Sequence, residues 1–288
     1  MRFTQFLEAS HKGLAVEVSG KLYGLAEHEK GFTGTLHDLL KAGPDALKDA
    51  HRRLSQAREL DPAAIRYLPP IERPGKIVCV GLNYADHTKE SPYEQPTYPA
   101  FFPRFSTTLI GHGEPIIRPI VSEQLDYEGE LAVIIGRGGR HITKARALEH
   151  VAGYSIFNEA SVRDYQFKSP QWTIGKNFDA TGAFGPSFVS ADELPPGARG
   201  LGLTTRLNGK VEQQANTADL IFDVAELIAT LSEAVTLEPG DVIVSGTPAG
   251  IGWARRPMLF MKAGDLCTVE IEGLGMLSNP IANEGPQA

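Results

Sequence analysis

Three acids lie close together in the stretch LDYEGELAVIIG: Asp126, Glu128 and Glu130. Glu128 and Glu130 are two apart at the entry to what reads as a strand, and strand side chains alternate faces, so both carboxylates point the same way. Two like charges roughly 6 to 7 Å apart repel by about 2 to 3 kcal/mol at an effective dielectric of about 20. A solvated acidic edge would tolerate that arrangement. The run LAVIIG argues against an edge, because it is apolar on both faces and belongs in a central strand. Buried carboxylates need a cation. A hard divalent ion takes several oxygen ligands while keeping water positions open, so the two glutamates read as halves of a metal site. A further acid, Glu159, stands in FNEASVRDYQ.

GLNYADHTKE, residues 81–90, follows the strand-like KIVCV. His87 and Glu90 are three apart and share a face if the segment makes a helical turn. A carboxylate beside an imidazole orients it and raises its basicity, which equips it as a general base; a surface ion pair is the plainer reading of the same spacing. GKNFDATGAFGP places Lys176 in a glycine-flanked, uncharged setting, where it is either a solvated lysine or a cation held in a pocket. Two glycine-rich stretches invite a nucleotide-binding reading. IIGRGGRHI lacks the third glycine of the dinucleotide fingerprint and does not open into a helix. SGTPAGIG, residues 245–252, leaves 36 residues after it, too few for a doubly wound sheet. It reads as a tight turn, or as a backbone cradle for a carboxylate with Thr247 as a donor.

These groups need a scaffold of a particular texture. The 288 residues are 42% hydrophobic and 22% charged, with 30 glycines and 20 prolines, which favours a turn-rich, strand-rich fold over a helical bundle. LAVEV and KLYGLA form a hairpin about SG, and TLHDLLKAG and PDALKDAHRRLSQAREL read as helices. The Pro-rich YLPPIERPG then separates a small leading module, residues 1–70, from the remainder, 71–288. In the second part KIVCVG, PIIRPI, LAVIIG, SFVSA, LGLTTRLNG, DVIVSG and LCTVEIEG are short strands, while TKARALEHVAG and TADLIFDVAELIATLSEAV read as helices. A net charge of -7 offers no basic footprint for nucleic acid. No apolar run reaches the length of a membrane span, the N-terminus lacks a signal-peptide core, and two isolated cysteines fit a reducing, cytoplasmic setting.

NYADH, LDYEGELAVIIG, the RD.Q of SVRDYQ, the GK of TIGKNF and VSGTPAGIG occur in this order. With that spacing the chain resembles the fumarylacetoacetate hydrolase superfamily over residues 71–283, in the form that carries a small N-terminal domain. The resemblance implies a β-rich α+β fold, a mixed β-roll or sandwich with few helices, usually dimeric. It implies a Mg²⁺ or Mn²⁺ site, with Ca²⁺ as an alternative, made by Glu128, Glu130 and the acid at position 159, where the family usually has Asp. It also implies a His87–Glu90 dyad and a substrate site lined by Lys176, Gln166 and Thr247. Arg104, where many relatives have lysine, is expected either at the distal end of the substrate or without a role there. The chemistry implied is cleavage of a 2,4-dioxo acid to pyruvate or a relative plus a carboxylic acid. His87 would activate water and Lys176 would stabilise the oxyanion. Oxaloacetate decarboxylation and isomerisation or hydration of 2-hydroxydienoates are the alternatives on the same metal–enolate site. A catalytically silent binding protein is disfavoured by the retained His87–Glu90 pair.

Overall fold

The computed structural model describes residues 1–90 and 94–285. Its main sheet is mixed, and along its path the strands run Arg58–Leu60, Lys21–Ala26, His11–Val18, Arg2–Glu8, Gly182–Ser190, Val151–Glu159, Gly129–Ile135, Val242–Val244, Ile77–Gly81, Ala100–Pro103. Neighbours on this path are antiparallel apart from Val242–Val244 beside Ile77–Gly81, which are parallel. The N-terminal strands therefore extend the same sheet, through Arg2–Glu8 against Gly182–Ser190. A second sheet of five strands, in the order Lys210–Asn216, Gly202–Leu207, Leu266–Ile271, Gly275–Asn283, Ile116–Arg118, packs across it. The two come so close at Gly129 that a Cβ there would sit 2.2 Å from Thr205 Oγ1.

The Gly129–Ile135 strand is buried along its whole length. Leu131, Val133 and Ile135 face the second sheet, where Leu203, Val269, Ile271 and Leu277 complete one core. Ala132 and Ile134 face the other way, toward Phe157, Phe184, Phe188 and the helices Leu36–Ala42 and Pro44–Leu54. Burial on both faces explains why the sequence reads as a continuous apolar run rather than an alternation. Parity then places the acids. Glu128 and Glu130 share the face of Ala132 and Ile134. Glu130 is in register with Phe157, and Glu159 follows two residues later on that same face. Three carboxylates thus converge where two central strands meet at one end of the sheet.

Three helical expectations are corrected. The helix read through PDALKDAHRRLSQAREL ends at Leu54, and Arg58–Leu60 pairs instead with Lys21–Ala26. TKARALEHVAG holds only a short 3-10 segment, Lys144–His150; Val151 opens a nine-residue central strand. That strand is paired on both edges, and at Gly153 a Cβ would lie 2.2 Å from the Val189 carbonyl oxygen. In TADLIFDVAELIATLSEAV the α-helix covers Val224–Ala234, with Asp223 accepting from the Glu226 amide as its N-cap. Leu220 and Ile221 precede it, so the apolar stripe belongs to the helix only from Val224 onward. No helix among the described residues is long and apolar enough to cross a membrane. Cys79 and Cys267 are both free and buried.

Candidate active site

Glu128, Glu130 and Glu159 each offer a carboxylate oxygen, all within 4.8 Å of one another, and all three side chains are buried. Lys176 lies against this cluster, its Nζ donating to Glu128 Oε2 at 2.8 Å and Glu159 Oε2 at 2.9 Å. Arg163 reaches Glu128 Oε1 at 2.6 Å and Asp126 Oδ2 at 2.8 Å. Arg104 approaches Glu159 Oε1 at 3.4 Å from behind. Burial would raise the Glu128 carboxyl, but Lys176 and Arg163 outweigh it and hold the group down at about 2. Glu130 has no such cation in contact. Burial, then the charges of Glu159 and Glu128, push it well above the usual carboxylate range.

The acids outnumber the fixed cations. Asp126, Glu128, Glu130 and Glu159 are four buried acids against the three cationic side chains Arg104, Arg163 and Lys176. Glu159 Oε1 is buried without a hydrogen bond. A surplus of buried acids over cations, an orphaned carboxylate oxygen and three convergent oxygens suit a hard divalent cation, so the donor set fits the metal site expected from the sequence.

The turn after Val242–Val244 organises the opposite wall. Its backbone N–H groups do cradle carboxylates, but the protein's own. Gly246 N–H donates to Glu130, Gly250 and Ile251 N–H to Glu90, and Gly252 and Trp253 N–H to Asp126. The Thr247 hydroxyl does not serve as a free donor, because its proton is engaged by the Gly129 carbonyl at 3.1 Å while its oxygen accepts from Gln213. The helix Ala85–Glu90 brings His87 and Glu90 together, Nδ1 to Oε1 at 3.0 Å. With Glu90 anchored by the turn, Nδ1 carries the proton and Nε2 is the basic nitrogen.

A cavity lies between these walls, lined by His87, Glu128, Glu159, Arg163, Gln166, Lys176 and Thr247 together with an apolar set that includes Phe102, Phe167, Trp172, Ile251 and Trp253. Gln166 Oε1 accepts from Arg163 Nη1 at 2.8 Å, which fixes its amide with the NH₂ directed elsewhere. Arg104 is absent from the lining, and its expected place at the distal end of the substrate is corrected. The guanidinium is engaged by Thr108, Thr181 and the Ala160 carbonyl beneath Glu159, fully enclosed by protein.

The model for the fumarylacetoacetate (FAA) hydrolase C-terminal family matches residues 76–282. The chain belongs to this family. An oxaloacetate tautomerase, mitochondrial, of Rattus norvegicus is 38% identical over 287 residues, covering 98% of this chain and 91% of that protein. The fumarylacetoacetate hydrolase from psychrophilic Exiguobacterium antarcticum superposes with a TM-score of 0.87 at 36% identity, covering 99% of this chain and 100% of that one. A 5-carboxymethyl-2-hydroxymuconate delta-isomerase from Mycobacterium smegmatis gives a TM-score of 0.77 at 32% identity, with 99% and 100% covered.

In this fumarylacetoacetate hydrolase family member, Asp126 has a part that sequence reasoning missed. It accepts from Tyr127, Gly252 and Trp253 N–H and from Arg163 Nε, all between 2.8 and 2.9 Å. One carboxylate thereby ties the turn that holds Glu90 to the arginine that holds Glu128 and Gln166. Its proximity to Glu128 in sequence was visible; its pairing with Arg163, 37 residues away, carried no local signal. An ionised carboxylate is acceptor-only, whereas the NH₂ of an asparagine would confront two of these donors. Asp126→Asn should lose about 3 to 5 kcal/mol of stability, the cost of breaking a buried charge pair. Denaturant unfolding followed by circular dichroism checks this, and a loss below about 1 kcal/mol would show that the hub is dispensable.

Proposed function

We propose that this protein moves a proton between carbon 3 and the 2-oxygen of a 2-oxo acid, with keto–enol interconversion of oxaloacetate as its leading reaction. The observation that carries the reading is one oriented imidazole, His87 on Glu90, opening into the same cavity as Lys176 and the three-carboxylate cluster. Similarity to oxaloacetate tautomerases along 98% of the chain supports this choice over the hydrolysis placed first by the sequence.

His87 Nε2 would take a proton from carbon 3, and the C–H electrons would become the C2–C3 double bond as the carbonyl electrons move onto the 2-oxygen. The imidazolium, paired with Glu90, would return that proton to the 2-oxygen to give the enol, and the reverse sequence gives the keto form. Lys176 would place positive charge beside the developing oxyanion. A divalent cation held by Glu128, Glu130 and Glu159, Mg²⁺ or Mn²⁺, would supply Lewis acidity for the oxygen charge. The amide NH₂ of Gln166 would donate to a short distal carboxylate.

Hydrolysis of a 2,4-dioxo acid is the second reading, supported by the 36% identity with the Exiguobacterium hydrolase. In it the same imidazole would activate water. The two separate cleanly. Enolic oxaloacetate mixed with enzyme and Mg²⁺ should lose its ultraviolet enol absorbance faster than the buffer reaction, and EDTA treatment should abolish the acceleration until Mg²⁺ or Mn²⁺ is restored. No acceleration, with pyruvate released from a 2,4-dioxo acid instead, would replace the tautomerase reading by the hydrolase one. Full activity after EDTA treatment would remove the metal from either.

A further inference from the structure

The residues around the cavity change character with depth. Glu128, Glu159 and Lys176 at its floor are 3%, 1% and 3% exposed, whereas Phe167 is 38% exposed and Trp172 and Trp253 are half-buried. The mouth is therefore aromatic and the floor charged. The chain has two tryptophans, Trp172 and Trp253, and both line this cavity.

The aromatic residues are held in place by the frame. The Trp172 indole rests on Gly81, where a Cβ would lie 2.2 Å from a ring carbon. Phe102 meets Trp172 edge-on, ring centres 5.5 Å apart. Phe167 and Trp253 form a second pair with centres 5.0 Å apart, and the Trp253 backbone is fixed by its N–H on Asp126. Phe102 also lies under the Lys176 ammonium, 5.2 Å from ring centre to Nζ, so charged floor and aromatic mouth are contiguous. The cations that line the cavity, Arg163 and Lys176, are already paired with carboxylates. Nothing in this lining therefore offers an uncommitted cation to a second carboxylate beyond the reach of Gln166, while two aromatic pairs offer apolar surface.

We propose that the outer half of the cavity is a subsite for an apolar or aryl arm, so that the substrate class extends from short 2-oxo dicarboxylates to 2-oxo acids bearing an aromatic or alkenyl group at carbon 4. The head group is that of the proposed function, and the inference rests on that reading. Phe102, Phe167, Trp172 and Trp253 set the specificity for the arm and take no part in proton transfer.

The test compares 2-oxo-4-phenylbutanoate with 2-oxobutanoate in the presence of Mg²⁺. The two share a head group, and neither has the 4-oxo group that C–C hydrolysis requires. The phenyl compound should bind at least about tenfold more tightly by calorimetry, which is about 1.4 kcal/mol, and should alter the tryptophan fluorescence. Phe167→Ala and Trp253→Ala should each remove most of that preference while leaving 2-oxobutanoate affinity unchanged, which also shows that the variants are folded. Equal affinity of the two compounds for the native protein would overturn the subsite. So would a preference that survives both substitutions. Failure of both compounds to bind would sink the 2-oxo acid head-group reading, and the subsite with it.

Discussion

His87→Ala should lower kcat for the proposed oxaloacetate tautomerisation by about 10² to 10⁴, the usual contribution of a positioned general base. The metal dissociation constant should stay within about threefold of the native value, because a threefold change is only about 0.65 kcal/mol. The separation follows from the architecture. His87 sits on the helix Ala85–Glu90 and bonds to Glu90, which is anchored by the amides of Gly250 and Ile251. Glu128, Glu130 and Glu159 come from the central strands and the residue leading into them, and are positioned by Lys176, Arg163 and the Gly246 amide. Removing the imidazole leaves those supports in place. Glu90→Gln should be milder than His87→Ala, since the imidazole remains but loses the carboxylate that stabilises its protonated form. Steady-state kinetics and metal titration on the same preparations check both statements. Undiminished tautomerisation by His87→Ala would mean that another group moves the proton, with Lys176 the next to substitute.

The parts of the site legible in the sequence are those set by local periodicity. Glu128 and Glu130 share a face because strand geometry has period two, and His87 and Glu90 meet because a helical turn has period near four. The apolar run LAVIIG similarly gave away a strand buried on both faces. What depends on contacts distant in sequence was not legible. Arg104 was expected at the substrate, yet pairing between Leu109–Ile110 and Gly182–Ser190 brings Thr181 and Thr108 around its guanidinium and folds it under Glu159. The carboxylate cradle in SGTPAGIG was read from its glycines, but which carboxylates fill it depends on residues more than 100 positions away. The helix read through EHVAG failed where distant contacts take over: from Val151 onward the chain is a strand with partners on both edges. Local rules thus brought together Glu128 with Glu130 and His87 with Glu90, while the second layer that aims them comes from tertiary pairing.

Glu159→Gln should raise the metal dissociation constant by at least about tenfold, on the order of 1.4 kcal/mol. The family resemblance leads one to expect aspartate here, and the extra methylene could have carried the carboxylate out of the cluster. It does not: an oxygen of Glu159 lies within 4.8 Å of those offered by Glu128 and Glu130, and its Oε1 has no hydrogen bond of its own. Arg104 behind it and Lys176 beside it hold the longer side chain on the cluster. Ligand charge and number set the affinity of a site for hard cations, so loss of one charged oxygen donor weakens the site even where the amide oxygen remains. The metal-free protein should respond differently. Four buried acids face three fixed cations, and Glu159→Gln removes one acid and relieves the crowding of carboxylates around Glu130. The substitution also leaves Arg104 and Lys176 facing a neutral group. These effects oppose each other, so thermal stability without metal should fall by less than the 3 to 5 kcal/mol typical of a broken buried pair. Stabilisation by added Mg²⁺ or Mn²⁺ should shrink at the same time. Glu159→Asp keeps the charge and should bind metal more tightly than Glu159→Gln. Calorimetric titration of both variants, with melting curves in EDTA and in excess metal, separates the two contributions. Native-like metal affinity in Glu159→Gln would show that position 159 is not a ligand, and the cation would then rest on Glu128 and Glu130.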